Sequence, residues 1–232
     1  MKLSVIIPCY NAGSYLSQAV SSIRNQQTGF PLVTEIIVID DGSTDGCMEQ
    51  LKGSDLTILH QDHQGASAAR NYGMKEATGE YLLFLDADDV LVPDAVKSLY
   101  QGLLQQEGSV VALGMAEEFI SEEITAQAAA SLSKKKVPFG AFLSGCCFGN
   151  KEAILKVGFF DTSLKSCETV DWLARLRESG LKMVQLTQVT VCRRIHLTNS
   201  GRVYEQEQMQ GYASIIRKRI LAQRMSNKNN LK

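Results

Sequence analysis

Carboxylates gather at three places in this chain, two of them directly after a stretch that would bury itself. Ile36-Ile37-Val38-Ile39 ends in Asp40-Asp41, and Leu82-Leu83-Phe84-Leu85 ends in Asp86-Ala87-Asp88-Asp89. Further on, Glu168 and Asp171 stand three residues apart. Basic groups answer them at Arg70 and at Arg193-Arg194 with His196. Carboxylates side by side repel one another unless a cation sits among them. Clustered hard oxygens are how proteins hold Mg²⁺ or Mn²⁺ against a diphosphate. Arginine suits bidentate contact with phosphate, and a histidine ring can ligate metal.

Something must carry these groups to one place. The apolar runs are β-branched and aliphatic without polar alternation, the habit of strands buried on both faces of a parallel sheet. Ligands of such sheets bind just past the carboxyl ends of the strands, so the acids should collect at one edge. Pattern predicts strands over 3–8, 35–40, 56–60 and 81–85, alternating with helices over 14–26, 44–51, 65–78 and 93–106. Ser14 is the expected cap of the first helix. The second half is less regular: strands over 109–116 and 183–193, helices over 151–157 and 169–179, and a polar surface helix or loop over 121–136. The apolar segment 139–148 should pack on the sheet beside the acidic edge. From Tyr204 the tail reads as a helix with Met209, Tyr212, Ile215, Ile216 and Ile220 on one side. The alternation predicts a doubly wound, mostly parallel α/β sheet.

At 232 residues the chain has room for one domain with a buried core. A net charge of −1 leaves no general basic footprint, which argues against nucleic acid as the main partner. No secretory leader opens the sequence and no apolar run approaches the ~20 residues that span a bilayer, so a cytoplasmic protein is expected. The six cysteines form no CxxC pair, and free thiols are expected. The vicinal pair Cys146-Cys147 should face opposite sides of a strand.

The chain resembles the family 2 inverting glycosyltransferases with the GT-A fold. The residues that carry the likeness are Ser4-Val5-Ile6-Ile7-Pro8-Cys9-Tyr10-Asn11, Asp40-Asp41-Gly42-Ser43-Thr44-Asp45, Gln64-Gly65 with Ala69-Arg70-Asn71-Tyr72-Gly73, and Asp86-Ala87-Asp88-Asp89. Weaker matches are Gly158-Phe159-Phe160-Asp161, the segment 168–175, and Arg194-Ile195-His196. The likeness covers roughly residues 2 to 200. It implies a GT-A domain over 1–203, with a nucleotide-sugar half (1–106) and an acceptor half (107–203), then a C-terminal helix and basic tail (204–232).

The resemblance also implies roles. Pro8, Tyr10 and Asn11 would surround the base and ribose, with Tyr10 stacking. Asp40 would read the base through a ring N–H, which suits uracil and also guanine. Asp86 and Asp88 would form the DXD element. There Asp88 would hold Mn²⁺ or Mg²⁺, while Asp86 would contact ribose or the sugar-phosphate within reach of the ion. Asp89 would support the turn. Arg70 would reach the nucleotide, pin the Asp86 loop, or make a structural ion pair. Arg194 would approach the diphosphate, and His196 would add a metal ligand or serve structure alone.

One position departs from the family. Its base is normally the Asp of a Glu-Asp pair before a helix, but here Thr169 follows Glu168, and a threonine is no base near neutral pH. Glu168 is the first replacement and Asp171 the second, with Arg175 a competing partner for Asp171. The expected reaction moves a sugar from a nucleoside diphosphate sugar, UDP-sugar favoured, to a glycan, lipid-linked or peptide hydroxyl with inversion. The alternative is a nucleotide-sugar-binding relative with weakened or lost catalysis. A nucleotidyltransferase would need a Gly-rich basic loop where Pro8-Cys9-Tyr10-Asn11 stands, and a dehydrogenase would need GxGxxG there. Arg217, Lys218, Arg219, Arg224, Lys228 and Lys232 make the tail basic, which would suit peripheral contact with the inner face of a membrane, a frayed helix or a homodimer contact.

Overall fold

A computed structural model describes residues 1–53, 55–108, 110–129, 132, 134–135, 137–140, 143–164, 166–197, 199, 211, 213 and 215. The basic tail lies outside the described residues, as does most of the expected C-terminal helix. Gly211, Ala213 and Ile215 are described and helical, and Ile215 is buried.

The elements in chain order begin with β1 (Lys2–Cys9), α1 (Tyr15–Arg24), β2 (Val33–Asp40), β3 (Leu56–His60), α2 (Ala66–Glu76) and β4 (Tyr81–Phe84). Next come β5 (Val90–Leu91), α3 (Ala95–Gln105), β6 (Val111–Ile120), the single turn α4 (Ala126–Ala129) and β7 (Phe139–Gly140). The series closes with β8 (Cys147–Asn150), α5 (Lys151–Val157), α6 (Glu168–Glu178) and β9 (Met183–Ile195).

One sheet joins all nine strands in the order β3-β2-β1-β4-β8-β6-β9-β5, with β7 beside β6. The long pairings are parallel: β1 with β2 and β4, β2 with β3, and β6 with β9. The short ones, at β4–β8, β6–β8, β5–β9 and β6–β7, are antiparallel. The sheet runs unbroken from the first half of the chain into the second.

Alternation along β1 divides the core. Leu3, Val5 and Ile7 pack with Leu16, Ala19, Val20 and Ile23 of α1 and with α3 on one face. Ile6 packs with Ala69 and Met74 of α2 and with Trp172, Leu173 and Leu176 of α6 on the other. Each such side chain contributes roughly 1.5–3 kcal/mol by leaving water. α2 lies close to the sheet because Gly73 lets it: a Cβ there would come within 2.4 Å of Ile6 Cγ2.

Three expectations are corrected. Segment 44–51 holds only a 3-10 turn, Cys47–Gln50, because Gly46 before it takes a left-handed φ of 73°. Ser14 makes no side-chain cap for α1, since its own backbone is already helical. Segment 139–148 enters the sheet rather than packing on it: β8 inserts antiparallel between β4 and β6. Cys146 and Cys147 do fall in opposite core clusters, and no disulfide joins any of the six cysteines.

The two-residue strand β5, not foreseen, is the element that anchors the acidic loop. It pairs Val90 with Cys192 and so ties the segment just after that loop to β9. Among the described residues no helix is long and apolar enough to cross a membrane.

Candidate active site

The acids at the end of β2 split at once into different jobs. Asp41 is buried and saturated. Its Oδ1 accepts the Gln61 side-chain amide (2.7 Å) and the Gln64 N–H (2.8 Å), and its Oδ2 accepts the Gly65 N–H (2.8 Å) and meets His63 Nδ1 (2.9 Å). It closes the loop between β3 and α2. Asp40 accepts the Ser43 N–H at 2.8 Å and meets His60 Nδ1 at 2.9 Å. Burial works to raise its carboxyl, but the bonds from Ser43 and His60 outweigh that and hold it below the usual carboxylate range.

The loop after β1 is laced to the same turn. Asn11, at a left-handed φ of 50°, accepts the Thr44 N–H (2.8 Å) and donates its own N–H to Ser43 Oγ (3.0 Å). Asp45 accepts the N–H groups of Gly13 (2.7 Å) and Cys47 (3.2 Å), a turn-holding role. Tyr10 stands half exposed between these turns. Pro8 does not: it is buried within β1, opposite Ile39, so it shapes the strand end rather than meeting a ligand.

The acidic loop after β4 relieves its own repulsion in three ways. Asp86 Oδ1 takes Arg70 Nη2 at 2.7 Å and the Ser144 hydroxyl at 3.3 Å. Asp88 Oδ2 meets His196 Nε2 at 3.0 Å and the Asn199 amide at 3.4 Å. Asp89 is buried against the Arg194 N–H (2.9 Å). Its burial first, then the charges of Asp88 and Asp86, drive it well up toward the neutral acid, the Arg194 N–H opposing them. The Arg70 guanidinium and these hydrogen bonds offset part of the repulsion within the loop.

Arg194 is placed differently from expectation. Its Nε donates to Asp88 O (2.8 Å), Nη1 to Ser121 Oγ (3.1 Å) and Nη2 to Gln18 Oε1 (2.7 Å), and its guanidinium lies over Tyr15 and Phe119. All three nitrogens have protein partners and the side chain is buried, so it braces the acidic loop from behind instead of facing a diphosphate.

Arg70 is the joint of the site. At 4% exposure it donates to Asp86 and, through Nη1, to Glu168 Oε1 at 3.0 Å. It therefore sets the first residue of α6 against the acidic loop. Cys167, just before it, is held at a φ of 63°, strain of about 1 kcal/mol or more for a residue with a side chain. Apart from glycines, Asn11 and Cys167 are the only described residues with positive φ, one in the loop after β1 and the other beside Glu168. Thr169 is buried beneath the helix. Asp171 pairs with Arg175 at 2.9 Å, and Arg175 also donates to Val157 O and Phe159 O, so Asp171 is committed to fixing the helix.

For a divalent ion, the described residues offer no group of three or more His, Cys, Asp or Glu ligands. They do offer a carboxylate and an imidazole in contact, Asp88 and His196, and Asp88 remains about one-third exposed. An ion that keeps waters and substrate phosphates in its shell needs only one or two such protein groups. The donor set therefore fits Mn²⁺ or Mg²⁺ held jointly with a diphosphate. Sequence reasoning missed His60, His63, Ser144 and Asn199. The two histidines had a signal, His60 ending β3 and His63 standing just past it, where a ligand-facing loop was already expected.

A family model described as "Glycosyl transferase family 2" matches residues 4–156. Among curated proteins, the chain is 36% identical over 115 residues to "Glycosyltransferase GlyG" of Streptococcus pneumoniae, covering 47% of this chain and 37% of that protein. It is 35% identical over 112 residues to "Minor teichoic acid biosynthesis protein GgaA" of Bacillus subtilis, covering 45% of this chain and 25% of that one. The chain thus spans well under half the length of these relatives. Among solved structures, S. aureus TarS in complex with UDP superposes with a TM-score of 0.67 at 23% identity, covering 93% of this chain and 65% of that one. GalNAc-T7 with UDP, GalNAc and Mn²⁺ superposes with a TM-score of 0.69 at 17% identity, covering 94% of this chain and 48% of that one. At these identities the likeness is one of fold.

Proposed function

The chain belongs to glycosyl transferase family 2, and from that premise we propose that it moves a sugar from a nucleoside diphosphate sugar to an acceptor hydroxyl with inversion. The observation that carries this reading is Arg70, bonded at once to Asp86 and Glu168. It joins a donor-side acid and a proton-accepting acid at one edge of the sheet.

Tyr10, Asn11 and Asp40 hold the base and ribose. Asp86, oriented by Arg70, meets the ribose or sugar-phosphate. Asp88 and His196 would hold Mn²⁺ or Mg²⁺, which when bound supplies positive charge for the departing diphosphate. Glu168 takes the acceptor proton. Arg70 grips Oε1, so Oε2 is the oxygen offered to the acceptor hydroxyl. UDP is the favoured nucleotide, since fold neighbours are described with UDP and UDP-GlcNAc. The donor half is 1–106 and the acceptor half 107–203, with a glycan, lipid-linked or peptide acceptor. Six cysteines with no disulfide among them suit a cytoplasmic setting.

A second reading, nucleotide-sugar binding without transfer, is favoured by one observation: Thr169 is buried where a base is expected. Calorimetric titration separates the outcomes. Wild type should bind UDP more tightly than GDP or dTDP and only with Mn²⁺. Asp88→Ala should weaken that binding at least about tenfold, the usual scale for losing a metal-site group. Binding without turnover of any UDP-sugar would support the second reading, and no nucleotide binding would overturn both.

A further inference from the structure

We propose that His63, seated on Tyr10, supplies a stacking face for the donor's nucleobase, an inference that rests on the nucleotide site proposed above. The two rings lie 4.1 Å apart between centroids at an interplanar angle of 30°. They are already in contact, so no slot opens between them. At that distance and tilt the rings lie face to face, so their free faces point opposite ways, and the face of His63 away from Tyr10 is the open one, the His63 side chain being 56% exposed and Tyr10 50%. An aromatic ring left half in water beside a ligand-binding strand edge is suited to cover the π-face of a base.

The His63 ring is held at its root. His63 Nδ1 is held by Asp41, at 2.9 Å from Oδ2 and 3.2 Å from the carbonyl oxygen, so the ring cannot swing freely. Its backbone is pressed by the turn after β2: a Cβ on Gly42, itself at a φ of 81°, would lie 3.3 Å from His63 N. Asp41, buried and saturated, therefore serves the site at one remove, by aiming His63. Asp40 stands next to Asp41 in the chain and reads the edge of the same base, so His63 and Asp40 divide recognition between face and edge. Stacking tolerates any base, so His63 sets affinity and leaves discrimination to Asp40.

The test is calorimetric binding of UDP, GDP and inorganic pyrophosphate, each with Mn²⁺, to wild type, His63→Ala and His63→Phe. His63→Ala should weaken UDP and GDP alike by about tenfold, the scale of one lost base–aromatic contact. Pyrophosphate affinity should not change, and His63→Phe should recover most of the loss. Unchanged UDP affinity in His63→Ala would overturn the proposal. So would an equal loss for pyrophosphate, which would mark a structural role, or failure of the phenylalanine to rescue. If wild type binds pyrophosphate but no nucleotide, both the base site and this stacking face fall.

Discussion

The two ends of the sheet both carry acids and treat them differently. At the amino end, Glu35 at the start of β2 accepts the Ser4 hydroxyl (2.5 Å), the Thr78 N–H (2.9 Å) and the Thr78 hydroxyl (2.8 Å). Its hydrogen bonds come from neutral donors, and they tie β1, β2 and the approach to β4 together. At the carboxyl end, Asp86 and Glu168 share Arg70 and Asp88 faces His196, while Asp89 is driven toward its proton. Neutral bonds from the backbone and short hydroxyls make a permanent joint. At Arg70 the partner is charged and the oxygens of Asp86 and Glu168 stay partly open to solvent. The same chemical group makes a closed joint at one end and a half-open one at the other.

That contrast is broken most sharply at Glu168. Glu168→Gln should lower turnover of a UDP-sugar by about 100-fold or more, the loss expected for a proton-transfer group, while UDP affinity stays near wild type. Steady-state kinetics beside calorimetry would show it, and full turnover in the variant would remove Glu168 as the base.

Glu35 should behave oppositely, moving stability and leaving turnover alone. Burial pushes its carboxyl up, but the bonds from Ser4 and Thr78, with the charge of Lys2, hold it below the usual range. A carboxyl lowered in the fold adds stability above its unfolded value and loses it as pH falls through the folded one. Glu35→Gln should therefore cost about 1–2 kcal/mol at neutral pH, with the gap closing below about pH 4. Denaturant melts at a series of pH values would measure it.

The smallest effect is expected at Asp171, an acid of the same helix as Glu168. Its partner Arg175 is part-exposed and the pair is of i,i+4 type. Asp171→Asn should cost about 0.5 kcal/mol and leave turnover unchanged. A loss of turnover comparable with that of Glu168→Gln would move the base to Asp171.

The first half of the fold was legible because β1, β2 and β4 each carry an apolar run that gives way to polar residues at its carboxyl end. The second half was less so. β5 is two residues long, below any periodic signal, and β8 is a Cys-Phe-Gly-Asn stretch whose place between β4 and β6 is set by partners distant in sequence. At the site, Asp86, Asp88 and Arg70 could be picked out by type and position. The enclosure of Arg194 among protein partners could not, because it depends on Gln18, Ser121 and Asp88 O converging on one guanidinium. Pro8 could be placed at the end of the first strand, but its burial opposite Ile39 shows only in the β1–β2 register.

The stitching of β5 to β9 has a consequence for the order in which the protein is made. Asp88 meets His196 across 108 positions, and Arg70 meets Glu168 across 98. A chain emerging from the ribosome presents its acidic loop long before its late partners have been synthesised, while the first parallel strands can already gather around their own apolar runs. A nascent chain at that stage carries Asp40, Arg70 and Asp86 but neither Glu168 nor His196. The carboxyl edge of the sheet is therefore completed last, by contacts that no shorter chain can make.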